Sequence, residues 1–174
     1  MHMLIHDATE EDLAAIVAIY NDVIATSTAV FSEEPVTVEE RREWLRAHRR
    51  RGAPVIVARA EGEVVGFATY GAFRPWPGYR STVEHSVHVA AGHRRRGVGR
   101  ALLEDIVQRA RQAGMHVMVA GIDAENRASL GLHEQLGFAP VGMLPEVARK
   151  FGRWVDLSLL QLQLEAAQPA QSVR

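Results

Sequence analysis

The chain has 174 residues, 47% of them apolar, enough to bury one substantial core; residues 1–165 are expected to form a single domain and residues 166–174 a polar, frayed tail. Its 20 Lys and Arg against 21 Asp and Glu leave a formal charge of -1, which excludes whole-molecule attraction to nucleic acid or anionic lipid and makes any anion site local. No Cys is present, ruling out disulfides, thiolate zinc sites and covalent thioester chemistry; with no signal-like N-terminus and no apolar run near the roughly 18–20 residues that span a bilayer, a cytoplasmic protein without membrane partners is expected.

Residues 3–6 read as a strand, and Thr9 with Asp12 forms a capping-box start. Leu13, Ile16, Val17, Tyr20, Val23 and Ile24 recur at helical spacing and predict an amphipathic helix over 10–25. Thr37 with Glu40 repeats the start signal and opens a charge-rich helix that runs through Trp44 and Leu45 to Arg50 and stops near Gly52. Strands at 54–60 and 63–73 flank the turn residues Glu61 and Gly62 as a hairpin, and RPWPGYRS at 74–81 breaks the sheet. A strand at 82–90, a basic loop and a helix at 97–114 make the central unit. A buried strand at 116–122, a short helix at 128–136 with Gly137 as its stop, and strands at 138–144 and 153–164 complete the chain. The order β, α, α, β, β, β, α, β, α, β, β predicts an α/β (α+β) sandwich with helices on a mixed sheet.

The loop of the central unit carries Arg94, Arg95, Arg96, Gly97, Val98 and Gly99 at the start of a helix. Glycines let backbone approach an anion, and a helix N-terminus offers unpaired N–H groups and about half a positive charge. A solvated basic turn or a nucleic-acid patch is the competing reading of the same residues. Two nucleotide motifs are not met: GVGRAL lacks the third glycine of the dinucleotide fingerprint, and no GxxxxGK occurs.

A second element follows downstream: Asn126, Ser129, His133 and the LGF at 136–138. Together, RxxGxG at 94–99 and NxxSxxLHxxLGF resemble the acetyl-CoA loop and second helix of the GNAT superfamily of N-acetyltransferases. TVEHSV (82–87), LHEQLGF (132–138) and KFGRWVDL (150–157) resemble more narrowly the branch that acetylates phosphinothricin and methionine sulfoximine or sulfone. The resemblance implies the GNAT fold, a mixed and largely antiparallel sheet of about seven strands with helices on both faces. It also implies acetyl-CoA as co-substrate, a small-molecule amine or amino acid as acceptor, and a homodimer. The backbone of Arg95 to Gly99 would hold the pyrophosphate, the edge of the strand at Val87, His88 and Val89 would pair with the pantetheine arm, and Asn126 and Ser129 would touch the coenzyme.

An alkylammonium holds its proton to roughly pH 9–10, so transfer to an amine needs a base. Period-2 alternation puts Glu84, Ser86 and His88 on one strand face and His85 on the other. Glu84 matches the branch's catalytic glutamate, and partial burial would raise its pKa. His133 matches the branch's histidine, at the position where many superfamily members carry an acidic tyrosine; acid, base and support all stay open for it. Phe31, Arg74 and Tyr79 match positions lining the branch's substrate pocket, with Ser86 beside them, and Arg74 is suited to grip an α-carboxylate through two hydrogen bonds. The HxxH of His85 and His88 does not suit one zinc, since a strand points the two apart; no metal is expected. Trp76 stands where the branch carries a second basic residue, so a sulfone or sulfoximine is expected over a phosphinate; His88 stands where the branch more often carries tyrosine, in the lining of the acyl slot. Lys150, Arg153 and Trp154 read as framework. A protein or peptide N-acetyltransferase, which would share the coenzyme site, and a non-catalytic acyl-CoA-binding domain are the alternatives.

Overall fold

The computed structural model describes residues 3–164; the tail expected at 166–174 lies outside them. Strand β1 (Met3–Asp7) leads through a single 3-10 turn into α1 (Leu13–Thr26), and α2 (Val38–Arg50) follows. Both start signals form as boxes: the Thr9 N–H donates to Asp12 Oδ2 at 2.8 Å, and the Glu40 N–H donates to Thr37 Oγ1 at 3.2 Å. The hairpin β2 (Val55–Ala60) and β3 (Glu63–Ala72) turns at Glu61 and Gly62, both at positive φ, the primed turn that suits the right-handed twist of a hairpin. Then come β4 (Thr82–Val89), α3 (Val98–Gln112), β5 (Val117–Asp123), α4 (Arg127–Gln135), β6 (Ala139–Lys150) and β7 (Arg153–Gln163).

These strands make one seven-stranded sheet in the order β1-β2-β3-β4-β5-β7-β6, antiparallel throughout except for the β4–β5 pair. Alternation along β2 shows how two cores share it. Val55 and Val57 join Leu13, Ile16, Ile19 and Leu45 of α1 and α2 on one face. Ile56 and Ala58 join Leu102, Leu103, Ile106 and Ala110 of α3 on the other. Each such aliphatic side chain contributes about 1.5–3 kcal/mol by leaving water. Helix α3 lies so close to β3 that a Cβ on Gly66 would sit 2.9 Å from both the His88 carbonyl oxygen and Leu102 Cδ1.

One element is longer than expected. The strand expected to end at 144 runs to Lys150, because Pro145 falls at an irregularity between Leu144 and Ala148 rather than at an end. Glu146, at φ 50°, donates its N–H to Asp156 Oδ1 at 2.8 Å and replaces the lost ladder bond. The resulting long hairpin leaves Val141, Met143, Val147 and Trp154 at least half exposed at the sheet edge.

Candidate active site

The parallel pair β4–β5 is short: Thr82, Val83 and Glu84 pair with Val117, Met118 and Val119, and beyond Glu84 the two strands part. Residues 85–89 keep their β3 partners but, among the described residues, have no strand on the β5 side. Strand edges with unpaired backbone groups accept an amide-bearing ligand as an added strand. At the far end of that edge, Arg95 and Gly97 take positive φ (58° and 84°), and Gly97 caps α3 in the left-handed region, so successive N–H groups turn toward one concavity at a helix start. Arg95 and Arg96 are exposed and make no ion pair among the described residues, whereas Arg94 folds back toward Asp22 at 3.7 Å and the Val89 carbonyl at 3.4 Å. Val98 is buried in the core, so only its backbone can serve an anion, and Gly99 packs against Val89 and Leu132. Asn126 accepts the Ser129 N–H at 3.1 Å and caps α4.

Glu84 stands at the last paired rung, its Oε1 lying 3.3 Å from where a Cβ on Gly121 would be. Loss of water around its carboxyl raises its pKa, and the Arg74 guanidinium pulls it partly back. His133 lies on the other face of β4. It is 4% exposed, its Nδ1 meets the Ser129 carbonyl oxygen at 2.7 Å, and its Nε2 meets His85 Nε2 at 3.1 Å, the two rings stacked at 14°. A carbonyl partner requires the proton on His133 Nδ1, so His133 Nε2 accepts and His85 Nε2–H donates. Burial lowers the pKa of both rings, that of His85 to about 3, and leaves His85 Nδ1 without a partner.

On the Glu84 face, α1, α2 and the loop between them enclose a cavity of about 290 Å³ lined by Tyr20, Val30, Arg41, Trp44, Thr69, Ser86 and His88, among others. Of the expected acceptor residues, only Ser86 lines it. Phe31 and Tyr79 are 41% and 42% exposed, and Arg74 sits on the exposed 74–81 loop with its guanidinium 4.6 Å over Phe73. The loop carrying Val30 is held from the C-terminal hairpin: the buried Lys150 Nζ donates to the Ser27 and Val30 carbonyl oxygens, each at 2.6 Å. Desolvation lowers the Lys150 pKa against the pull of Glu33. Tyr20 carried only a helical-core signal in the sequence, and Arg41 was one charge among many, so no local pattern could assign either to a cavity. The His85–His133 pair had a signal in two halves, an inward-facing strand histidine and a helix histidine, 48 residues apart.

The family model described as Acetyltransferase (GNAT) family matches residues 16–138. The L-methionine sulfoximine/L-methionine sulfone acetyltransferase of Pseudomonas paraeruginosa is 48% identical over 171 residues, covering 98% of this chain and 99% of that protein. Among solved structures, a ribosomal-protein-alanine N-acetyltransferase from Brucella melitensis superimposes with a TM-score of 0.92 at 48% identity, over 92% of this chain and 99% of that one. The structure of yncA from Salmonella typhimurium with its cofactor acetyl-CoA superimposes with a TM-score of 0.92 at 42% identity, over 98% and 99% of the two chains.

Proposed function

Because this chain belongs to the acetyltransferase (GNAT) family and uses acetyl-CoA, we propose that it acetylates the α-amino group of a small amino-acid-like acceptor of the methionine sulfoximine, methionine sulfone or phosphinothricin type. The observation that carries this reading is Glu84 at the point where β4 and β5 part, a carboxylate of raised pKa at the head of an open strand edge. Glu84 takes the ammonium proton, directly or through a water. The freed nitrogen lone pair attacks the acetyl carbonyl, the carbon–sulfur bond breaks, and the second amine proton passes through water to the departing thiolate, leaving the amide and free CoA.

The coenzyme would lie along Val87, His88 and Val89, with its pyrophosphate on the backbone of Arg95 to Gly99 and its flank on Arg94, Arg96, Asn126 and Ser129. The unpaired edge and the two positive-φ residues support that placement. Of the roles open to His133, support fits best: its lowered pKa keeps it neutral, and both ring nitrogens are already engaged, by the Ser129 carbonyl and by His85. Phe31, Tyr79 and Arg74 would close over the acceptor's head group, with Arg74, near enough to bias Glu84, gripping the α-carboxylate.

The catalytic domain spans residues 1–165 and works as a cytoplasmic homodimer, a reading supported by the apolar side chains left exposed on the β6–β7 hairpin. The similarity to a ribosomal-protein-alanine N-acetyltransferase favours a second reading, an N-terminal peptide as acceptor. Thiol release from acetyl-CoA, measured with methionine sulfone, methionine sulfoximine, phosphinothricin, ordinary amino acids and an alanine-terminated peptide, separates the two. Release with the free amino acids supports the first; release with the peptide alone replaces it by the second.

A further inference from the structure

The cavity beside Glu84 is the interior of a trough whose floor is a row of cross-strand pairs on one face of the sheet. Phe67 faces His88, Thr69 faces Ser86, and Gly71 faces Glu84. At the Glu84 end the floor is bare, because Gly71 has no side chain and a Cβ there would meet nothing within 4 Å. At the other end, α1 and α2 supply the roof. The Arg41 guanidinium carbon lies 3.9 Å over the Tyr20 ring and 4.9 Å from the centre of the Trp44 ring.

The polar groups of this inner end are uncommitted. Thr69 gives its hydroxyl to the Pro54 carbonyl, but Arg41 makes no ion pair and neither Ser86 nor His88 a side-chain hydrogen bond among the described residues. His88 is 7% exposed and wedged between Tyr20 and Phe67, at 5.4 and 5.0 Å between ring centres. Burial and the nearby Arg41 charge lower its pKa to about 4, so it stays neutral. Among the described residues, no carboxylate lines the cavity. A planar cation stacked between aromatic rings, with an imidazole and a hydroxyl beside it, is a site for an oxygen-bearing group that accepts hydrogen bonds.

We propose that Arg41 and His88 form the side-chain subsite of the acceptor and select an oxygenated terminus, such as a sulfone, a sulfoximine or a second acid group, over an apolar one. This rests on the amino-acid acceptor reading above. With the head group held between Glu84 and Arg74, the acceptor's side chain runs along β4 over Ser86. Alternate residues on a strand face are about 6.6 Å apart. Three single bonds from Cα carry a methionine sulfur about 4 Å along that face, toward the level of Ser86 and the end of the cavity that Arg41 and His88 line. The His88 imidazole thereby becomes a specificity determinant of this chain.

The test compares kcat/KM for methionine sulfone with that for methionine, an acceptor of the same length without the oxygens, in wild type, Arg41→Gln and His88→Phe. Calorimetric titration of methionine sulfone into the CoA-loaded proteins gives a second readout that needs no turnover. The sulfone-to-methionine ratio is expected to favour the sulfone in wild type and to fall at least tenfold in Arg41→Gln, with His88→Phe falling in the same direction and standing in if Arg41→Gln does not fold. Ratios that stay at the wild-type value in folded variants overturn the subsite while leaving the acetyltransferase reading intact. Absence of turnover with any free amino acid, with binding of the sulfone that still requires Arg41, overturns the acceptor reading and keeps the subsite. Absence of both turnover and Arg41-dependent binding overturns the two together.

Discussion

The two faces of β4 place neighbouring residues in opposite environments. On one face, Ser86 and His88 line a cavity and Glu84 stands exposed beside them; on the other, His85 is packed against His133 and Phe138 beneath α4. Desolvation acts on both faces, yet its consequence differs with the chemistry of the group. It raises the Glu84 carboxyl, making a stronger base, and it lowers His85 and His133, keeping two imidazoles neutral and able to share a single Nε2–H bond. Proton chemistry is therefore accessible on one side of the strand and locked on the other.

The sharpest way to break this comparison is Glu84→Gln, which keeps shape and hydrogen bonding but cannot take a proton. Its kcat/KM is expected to fall between about a hundredfold and ten-thousandfold, the range for removing a positioned general base. The acid limb of the wild-type profile, lying above the usual carboxylate range because the Glu84 pKa is raised, should vanish with it. A Gln variant that keeps wild-type rates across pH would remove Glu84 from the mechanism.

Next in size is Arg74→Ala, measured as KM for the amino acid and for acetyl-CoA separately. Loss of charged hydrogen bonds of about 1.5–3 kcal/mol corresponds to a KM for the amino acid raised roughly ten- to a hundredfold. The KM for acetyl-CoA is expected to change little. Equal changes in both would move Arg74 out of the acceptor site. Removing this cation should also raise the Glu84 pKa further, since Arg74 is what pulls it down.

The buried histidines of the two faces are read by stability rather than by rate. His85 and His88 titrate in the native protein only near pH 3 and 4, whereas in the unfolded chain they titrate near 6.5. Between pH 6.5 and about 4 the unfolded state binds protons that the native state refuses. Stability therefore falls as pH is lowered, by about 1.4 kcal/mol per pH unit for each histidine held neutral. Denaturant midpoints at pH 7.5, 6.0 and 5.0 should show this slope, and His85→Phe should reduce it by one histidine's share. A slope unchanged by that replacement would show that His85 is protonated inside the fold.

The smallest effect expected lies away from β4, on the outer helix that roofs the trough. Thr37→Ala removes the hydroxyl that accepts the Glu40 N–H and should cost about 1 kcal/mol in a chemical melt, with no change in acceptor preference. A shift in preference would mean that α2 moves enough to displace Arg41.

Much of the fold was legible because the signals are local. The capping pairs Thr9/Asp12 and Thr37/Glu40, the Glu61–Gly62 turn and the alternation along 82–90 each depend on residues a few positions apart, and each element forms where those signals put it. The loop at the start of α3 is of the same kind, since Arg94 to Gly99 is continuous in sequence and its geometry follows from left-handed backbone next to a helix start. The β6 strand was misjudged in length because Pro145 signals a stop wherever it is read alone. The bond from Glu146 to Asp156 on the partner strand, and the pairing of Ala148 to Lys150 with Val155 to Arg153 beyond it, carry the strand on.

The sequence by itself determined the order of elements, the left-handed loop at the start of α3 and the side of the strand that Glu84 takes. Tertiary structure alone decided that β4 and β5 part beyond Glu84. It also decided that Lys150 pins the loop above the cavity, that His85 meets His133, and that Arg41 lies over Tyr20 beside His88. The physical reason is separation along the chain. A backbone turn or a cap is set by interactions among near neighbours, whereas a cavity exists only where packed elements from distant segments fail to fill the space between them.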